Sequence, residues 1–397
     1  MDTDTPSPEA LAWAQRLVRF NTVSHESNLA LIECIADHLR TLGVPLRLTW
    51  DEERRKANLF ATLGVGKPGG LVLSGHTDTV PWDGQDWSTD PLSGELRDGR
   101  LYGRGSADMK GWIGTVVAQT AAWLQADLPF ALHYAFSYDE EVGGFGARHL
   151  IADLRDAGLA PRLCIVGEPT AMVPAIAHKG VHRWRCCVRG KAAHSSLTPQ
   201  AVNAVEAAAR LVAHISDIGD ELREREPRLA GFDVPWSTAA VCVIEGGIAD
   251  NVVPEDCRFH YEFRDLPGSD VAALQRRVTE RAAALEPAMK AVAPDSGFRF
   301  ESIAAMPAFQ ARPDEPAVRL AQALAGSEQT TLVAFGTEAG LFQRAGMSTV
   351  VCGPGSIAQA HQADEFVSLH QLARCEAFLR GIGTHAGRWL AEPTLAT

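Results

Sequence analysis

The sequence predicts an α/β protein: a three-layer α/β/α domain with a mixed sheet, and inserted into it an α+β domain of ferredoxin-like topology. Two observations carry this prediction. Strand-like apolar runs alternate with helix-like segments over the first 170 of the 397 residues and again near the end. Between them the pattern changes to strand-helix-strand-strand-helix-strand, the order of a split βαβ fold. We therefore expect outer segments 1–179 and 306–397 and an insert 180–305.

The first outer segment begins with helix-like spacing of apolar residues and continues with short apolar runs that end in glycine or polar residues. The strand-like runs 58–63 and 71–73 follow each other closely, and we expect them to pair. The mixed charge run 51–56 is typical of a solvated turn. Helices are predicted at 8–19, 29–42 (with Gly43 as its cap), 113–124 and 147–157, and further strands at 130–137 and 163–166.

The insert alternates apolar and polar residues in its first strand-like run, which is typical of a half-exposed strand. After the insert, the α/β pattern resumes. The insert is predicted to contain strands 180–189, 238–245, 257–264 and 298–303 with helices 201–218 and 270–285, and the last segment a helix at 316–325 and a strand at 349–352.

Composition narrows the class of partner and compartment. The formal net charge is −12, from 37 basic and 49 acidic residues, with no basic cluster, which argues against nucleic acid and anionic membrane as partners. No apolar run has the length of about 18 residues that a membrane span needs. The eight cysteines are scattered without a CxxC pair, which favours the reducing cytoplasm.

A histidine and an aspartate follow the apolar run that begins at Leu71. His76 and Asp78 lie two residues apart, so in an extended chain both side chains leave the same face. The Asp78 carboxylate can then hold one imidazole nitrogen while the other binds a metal. Asp108 follows a glycine-rich turn and precedes a helix, and is expected to project toward the same point.

Further ligand-type residues end three other strand-like runs. Glu140 and Glu141 follow the run that ends at Ser137, Glu168 ends another, and His361 follows a third. Two histidines and several carboxylates at strand ends predict a carboxylate-rich metal centre at the C-terminal edge of an open sheet.

Taken together, these motifs resemble the M20 family of dinuclear zinc amidohydrolases and exopeptidases over nearly the whole chain. Three further motifs are similar to the acetylornithine deacetylase branch: 178–180, 190–196 and 353–362. The motifs that carry the family resemblance are Ser-Gly-His-Thr-Asp at 74–78, Gly-Arg-Gly-Ser-Ala-Asp-Met-Lys-Gly at 103–111, Asp-Glu-Glu at 139–141, Gly-Glu-Pro-Thr at 167–170 and His361.

The resemblance implies two divalent metal ions, expected to be zinc, although two imidazoles and three carboxylates also accept cobalt or manganese. His76 and Glu168 would bind one ion, Glu141 and His361 the other, and Asp108 would bridge them. Glu140 would be the general base and Asp78 would orient His76. This division suits amide hydrolysis, in which a metal pair activates a water and a carboxylate beside it transfers the proton.

The resemblance also implies residues that contact the substrate. His194 would stabilise the oxyanion from the neighbouring subunit of a homodimer formed through the inserted domain, which would also act as a lid; without the resemblance it is an ordinary surface histidine. Asn251 and Arg264 would bind the α-carboxylate, although Arg264 can instead form a salt bridge at its strand end. Residues that would line the same pocket are Lys179, Gly336 and Thr337. Glu338 would face a cationic side chain or be structural.

Three functions follow from these observations. The first is hydrolysis of N2-acetyl-L-ornithine to L-ornithine and acetate in arginine biosynthesis. The second keeps the chemistry and changes the substrate to another N-acyl amino acid, N-succinyl-diaminopimelate or a small peptide. The third, a non-catalytic binding or scaffolding dimer, is disfavoured because every expected metal ligand and the base are present.

Overall fold

The computed structural model describes residues 4–391, so residues 1–3 and 392–397 of the predicted outer segments lie outside the described residues. The chain forms two compact units. The inserted unit comprises His178–Ala308 together with Ala334–Gly336, and the main unit contains the other described residues. The insert was expected at 180–305; the unit begins two residues earlier, ends three later and includes a short segment near residue 335. That segment belongs to it because Gly336 packs against Val181.

Most expected helices and strands are present, with small shifts at their ends. Before the insert, the elements are α1 (Pro8–Val18), α2 (Leu29–Thr41), β1 (Leu46–Trp50), β2 (Ala57–Leu63), β3 (Leu71–His76), β4 (Glu95–Arg97), β5 (Arg100–Tyr102), α3 (Gly111–Ala118), α4 (Thr120–Ala126), β6 (Leu132–Ser137), α5 (Phe145–Asp156), β7 (Leu163–Pro169) and β8 (Ala175–His178). The insert contains β9 (Val181–Arg189), β10 (Ala193–His194), α6 (Ala204–Arg225), β11 (Thr238–Gly246), β12 (Val252–Val253), β13 (Asp256–Arg264), α7 (Val271–Lys290) and β14 (Gly297–Met306). The remaining elements are β15 (Phe309–Gln310), α8 (Pro316–Ala325), β16 (Thr331–Val333), α9 (Ala339–Arg344), β17 (Ser348–Gly353), β18 (Phe366–Ser368), α10 (Leu369–Arg380) and α11 (Ile382–Ala391).

The main unit is built on a mixed nine-stranded sheet in the order β1-β2-β6-β3-β7-β17-β8-β15, with β16 beside β8. The predicted α/β class with helices packed on the sheet is confirmed. The expected pairing of β2 with β3 is wrong, because β6 lies between them, antiparallel to β2 and parallel to β3. All six residues of β6 are buried, so neither alternation nor proximity in sequence reveals its neighbours.

Four adjacent strands, β6, β3, β7 and β17, run parallel. Their C-terminal ends therefore meet at one edge of the sheet, where ligand sites of open α/β sheets lie. The strands end at Ser137, His76, Pro169 and Gly353. Each is followed or ended by one of the predicted ligand motifs.

The inserted unit contains a four-stranded antiparallel sheet in the order β11-β13-β9-β14. With α6 after the first strand and α7 after the third, this is the predicted ferredoxin-like arrangement. One face of α6 packs against the sheet through alanine and leucine positions such as Ala208 and Leu211. A separate two-stranded ribbon joins β10 to β12.

Two local predictions need correction. The predicted helix 113–124 is two helices, α3 and α4, because the main chain turns at Gln119. The charge run 51–56 is not solvated throughout, since Lys56 is 8% exposed and its ammonium lies 2.5 Å from Asp139 Oδ1. None of the helices within residues 4–391 combines the length and the apolar character that crossing a membrane requires.

Candidate metal centre

His76, the last residue of β3, is buried and has a carboxylate on each side of its ring. Its Nε2 lies 2.9 Å from Asp108 Oδ1 and 3.7 Å from Glu168 Oε1. Its Nδ1 lies 3.0 Å from the main-chain oxygen of Asp78 and 3.6 Å from its Oδ1. The orienting hydrogen bond thus goes to the Asp78 carbonyl, and the carboxylate adds negative charge behind it. A proton held on Nδ1 leaves Nε2 for a metal.

A second cluster lies on the other side of Asp108. His361 Nε2 is 3.4 Å from Asp108 Oδ2 and 3.0 Å from Glu141 Oε1. The side chain of His361 is 42% exposed, whereas those of Asp108 and Glu141 are 6% and 9% exposed. Of the two carboxylate oxygens of Asp108, one faces His76 and the other faces His361, which is the arrangement that a bridging ligand requires.

The donor atoms of each cluster lie within 4.8 Å of one another, close enough to coordinate a single ion. The two clusters are His76, Asp108 and Glu168, and Asp108, Glu141 and His361. Burial raises the pKa of Glu168, and the Asp108 carboxylate raises it further. Crowded, buried carboxylates of this kind are stabilised by bound cations, and imidazole with carboxylate is a donor set that zinc accepts. The residues therefore fit two divalent ions.

Trp112 packs beneath the strands that carry His76 and Glu168. A Cβ on Gly167 would lie 2.1 Å from its indole ring, and one on Gly75 would lie 3.1 Å from it. The indole N–H donates to the main-chain oxygen of Ser74 at 2.9 Å. Gly167 is therefore needed for space, since any side chain there would displace the ring, and Gly75 is in a tight but less restrictive position.

The Asp78 carboxylate also contacts the two adjacent glutamates. Its Oδ1 accepts a hydrogen bond from the main-chain N–H of Glu140 at 3.1 Å, and its Oδ2 accepts from that of Glu141 at 3.3 Å. Oδ2 also accepts from the Ser24 hydroxyl at 2.7 Å. This link was not predicted, because the sequence shows no connection between residues 62 positions apart.

Glu140 is 9% exposed and lies beside the two clusters without belonging to either. Burial raises the pKa of its carboxyl well above the ordinary value; the positive charge of His76 opposes this, and the charge of Glu141 adds to it. Burial is the largest influence on the pKa of His76 and lowers it, but the neighbouring carboxylates of Asp108, Asp78 and Glu168 together raise that pKa well above its ordinary value. A carboxylate with a raised pKa near a metal site suits proton transfer.

Glu338 lies in the main unit and is buried. Its two carboxylate oxygens accept hydrogen bonds from Ser137 Oγ at 2.5 Å and Ser74 Oγ at 3.2 Å. Burial raises the pKa of Glu338 to about 7. Of the two roles left open by the sequence, these contacts favour the structural one, since the carboxylate joins the ends of β3 and β6.

His194 and Asn251 lie in the inserted unit, where the ribbon of β10 and β12 brings them together. His194 pairs with Val252, and the N–H of Ser195 donates to the main-chain oxygen of Asn251 at 3.0 Å. The imidazole Nδ1 of His194 lies 2.8 Å from Ser196 Oγ, and the residue is exposed. Two residues predicted to contact the substrate are therefore neighbours.

The other predicted substrate residues have partners of their own. Arg264 Nε donates to Glu262 Oε1 at 3.0 Å, a salt bridge along its own strand. Lys179 Nζ donates to the main-chain oxygen of Trp236 at 2.6 Å, and burial lowers the pKa of this lysine.

Gly336, one of the two predicted pocket residues near position 336, belongs to the inserted unit. Thr337, in the main unit, is buried, and its hydroxyl accepts from the N–H of Ala339 at 3.0 Å. Their contact with a substrate stays a prediction.

Lys56 and Ser24 contribute to the site and were missed by sequence reasoning. The Lys56 ammonium donates to the main-chain oxygen of Ser24 and pairs with Asp139, the residue that precedes Glu140. Asp139 has a φ of +55°, in the left-handed region, and its contact with Lys56 helps to fix this conformation. The only available signal was a lysine at the end of a charge run.

Residues 72–384 match the peptidase family M20/M25/M40. An acetylornithine deacetylase from Proteus mirabilis is 36% identical over 346 residues, which cover 87% of this chain and 86% of the relative. A metallo-carboxypeptidase of the M20 family from Sulfolobus solfataricus superimposes with a TM-score of 0.74 at 17% identity, covering 95% of this chain and all of that one. A dinuclear metal-binding M20 peptidase from Bacillus subtilis gives a TM-score of 0.64 at 14% identity, with 94% and 96% covered.

Proposed function

The chain belongs to the peptidase family M20/M25/M40, and from that premise we propose that it hydrolyses N2-acetyl-L-ornithine to L-ornithine and acetate. One observation carries the catalytic part of this proposal: the two oxygens of Asp108 face two separate groups of metal ligands. The substrate follows from the relative in Proteus mirabilis, an acetylornithine deacetylase similar to this chain over most of its length.

His76 and Glu168 would hold one divalent ion, Glu141 and His361 the other, and Asp108 both. We take zinc as the resident metal, with cobalt or manganese as substitutes, because imidazole and carboxylate ligands accept all three. Two such ions would lower the pKa of a water enough for it to attack an amide at neutral pH.

Glu140 would move the proton. Its carboxylate is held next to the ligands by the Asp78 contact to its main-chain N–H, yet it belongs to neither ligand group. In this position it takes the proton of the attacking water and delivers it to the leaving amine, so that ornithine departs as an amine rather than as an unstable anion. The raised pKa of Glu140 favours proton uptake.

The inserted unit would bind the rest of the substrate. Arg264 presents a planar guanidinium suited to a carboxylate, and Asn251 and Lys179 add donors. Gly336 and Thr337 would line the same pocket. His194 would donate to the oxyanion from the second subunit of a homodimer and complete the site when the inserted unit closes as a lid. The exposed apolar residues Val243 and Ile244 on edge strand β11 support association through this unit.

We place the activity in the cytoplasm and in arginine biosynthesis. All eight cysteines are free thiols, which suits a reducing compartment. The product, ornithine, is the amino acid that the named relative's reaction would release.

The test is acyl-acid release, measured by chromatography, from a panel of N-acyl amino acids and dipeptides, using metal-stripped protein with and without added zinc or cobalt. We expect metal-dependent activity with a strong preference for N2-acetyl-L-ornithine. If added metal restores activity on another acyl amino acid, N-succinyl-diaminopimelate or a dipeptide instead, the proposed amide hydrolysis is supported and the proposed substrate is overturned. If the protein binds metal but hydrolyses none of these substrates, the proposal that it is an enzyme is overturned.

A further inference from the structure

We propose that Gln85, Arg104 and Glu365 form a positioning network that holds the metal centre from two sides, at the main chain of Asp108 and at the main chain of His361. The inference rests on the proposed function, since it concerns the ligands named there. All five residues belong to the main unit. The network gives a role to Gln85 and Trp87, in the loop between β3 and β4, to which the mechanism assigns none.

Glu365 links the network to Asp108. Its Oε1 accepts hydrogen bonds from the main-chain N–H groups of Ala107 at 3.0 Å and Asp108 at 3.2 Å. Its Oε2 accepts from Arg104 Nη1 at 2.7 Å. The side chains of Glu365 and Arg104 are 0% and 1% exposed, and a buried ion pair of this kind fixes its members because either charge alone would be costly to bury.

Gln85 links the same arginine to His361. Its Oε1 accepts from Arg104 Nη2 at 2.5 Å and from Trp87 Nε1 at 3.1 Å, and its Nε2 donates to the main-chain oxygen of His361 at 2.9 Å. The Arg104 guanidinium also lies 5.1 Å from the centre of the Trp87 ring. A single glutamine thus connects the buried ion pair to the more exposed metal ligand.

The backbone around His361 needs such support. His361 and Asp364 have φ values of +62° and +54°, in the left-handed region that is less favourable for residues with side chains than for glycine. Asp364 is held by the same loop, since its Oδ1 accepts from the main-chain N–H of Ser88 at 2.8 Å. Without the loop, His361 would no longer be fixed opposite Glu141.

The two ligand groups should depend on this network to different degrees. His76 and Glu168 project from β3 and β7, which the sheet fixes independently. His361 lies on a loop after β17, and its own main-chain oxygen accepts a hydrogen bond from Gln85. Removing the Gln85 side chain should therefore weaken the ion at Asp108, Glu141 and His361 and spare the ion at His76.

The test is zinc binding to metal-stripped protein by calorimetry, with cobalt absorption spectra as a second readout. Gln85→Ala should leave one of the two binding steps as in wild type and weaken the second by about 10-fold to 100-fold, the range found when groups supporting metal ligands are removed. Gln343→Ala is the matched control: Gln343 is also half-buried and bonds the main chain of Gln310 through both side-chain atoms, and it should bind as wild type.

Gln85→Glu separates the two bonds, because it keeps an acceptor for Arg104 and removes the donor to His361. The added negative charge would by itself strengthen cation binding, so a weakened second step indicates that the contact with the main-chain oxygen of His361 has been lost. If the wild-type protein binds two zinc ions and both Gln85 variants bind zinc as the wild type does, the network is overturned and the proposed metal centre is not. Wild-type uptake of fewer than two ions overturns the proposed metal centre and the network with it.

Discussion

The carboxylate of Asp78 accepts a hydrogen bond from the main-chain N–H of Glu140 at 3.1 Å. This contact joins the strand end that carries His76 to the turn that carries the proposed base. Asp78 therefore contacts both a proposed metal ligand, His76, and the proposed base, Glu140, although it belongs to neither cluster of possible ligands.

Asp78→Asn should lower turnover by about 10-fold to 100-fold with the protein folded. An amide has one acceptor oxygen, so one of the N–H groups of Glu140 and Glu141 would face a donor instead. Steady-state kinetics and circular dichroism would measure this. Ser24→Ala, which removes only the hydroxyl on Asp78 Oδ2, is the control and should retain most activity. Equal effects of the two changes would contradict the positioning role.

Glu140→Gln should lower turnover by roughly 100-fold to 10,000-fold, because the amide cannot accept the proton. The change preserves the size of the side chain and the main-chain contact to Asp78. Metal content, measured by mass spectrometry, should stay at the wild-type level. Loss of metal together with activity would make Glu140 a ligand, and unchanged turnover would remove it from the mechanism.

Asp108→Ala should lose both ions and all activity, since its two oxygens face both ligand groups. Glu168→Ala is the comparison: Glu168 belongs to one group only, so this protein should retain one ion. Metal content after dialysis against zinc distinguishes the two. If Asp108→Ala also keeps one ion, the bridging assignment fails.

His194→Ala should lower turnover by about 100-fold to 1,000-fold, the effect of removing one oxyanion donor. The residue is exposed and its ring contacts Ser196, so folding and the predicted dimer should be unaffected. Light scattering measures the mass of the variant in solution, and steady-state kinetics measure its turnover. A rise in KM with unchanged kcat would argue for a binding role instead of oxyanion stabilisation.

The free energy of unfolding should decrease as the pH is lowered, because His133 is buried in its neutral form. Burial lowers the pKa of this histidine from 6.5 to about 4, so the folded protein keeps it neutral where the unfolded chain protonates it. Its stabilising contribution is complete above pH 6.5 and is lost as the pH falls to about 4, by about 3 kcal/mol. His133→Phe keeps the stacking on Phe60 and removes the titration. The free energy of unfolding of both metal-stripped proteins can be measured with urea across this pH range. It should decrease more steeply with falling pH in the wild type than in the variant. An equal decrease in both proteins would contradict the role of His133.

Much of the main unit was predictable because its signals are local. An apolar run followed by a polar motif identified the ends of β3 and β7, and the parallel strands bring His76 and Glu168 to one edge. The order of strands was not local information: β6 separates β2 from β3 through pairings that no periodicity encodes.

Residues of the metal-ligand type could be identified from the sequence, but the groups that support them could not. His361 and Glu141 lie in motifs that the sequence displays, but the contact of Gln85 with His361 joins residues 276 positions apart. Arg104 and Glu365 each resemble a surface charge until the fold buries them as a pair. Hydrogen bonds of this kind depend on tertiary packing, which residue types alone do not reveal.

The position of β17 between β7 and β8 has a consequence for synthesis on the ribosome. β7 and β8 are made before the insert, and the strand that joins them is made long after it, at Ser348–Gly353. Until the ribosome has translated that strand, one edge of β7 presents unpaired N–H and C=O groups, a template for pairing with other chains. Nascent chains that stop before residue 348 should therefore aggregate or engage chaperones, even though four of the five proposed metal ligands are already present.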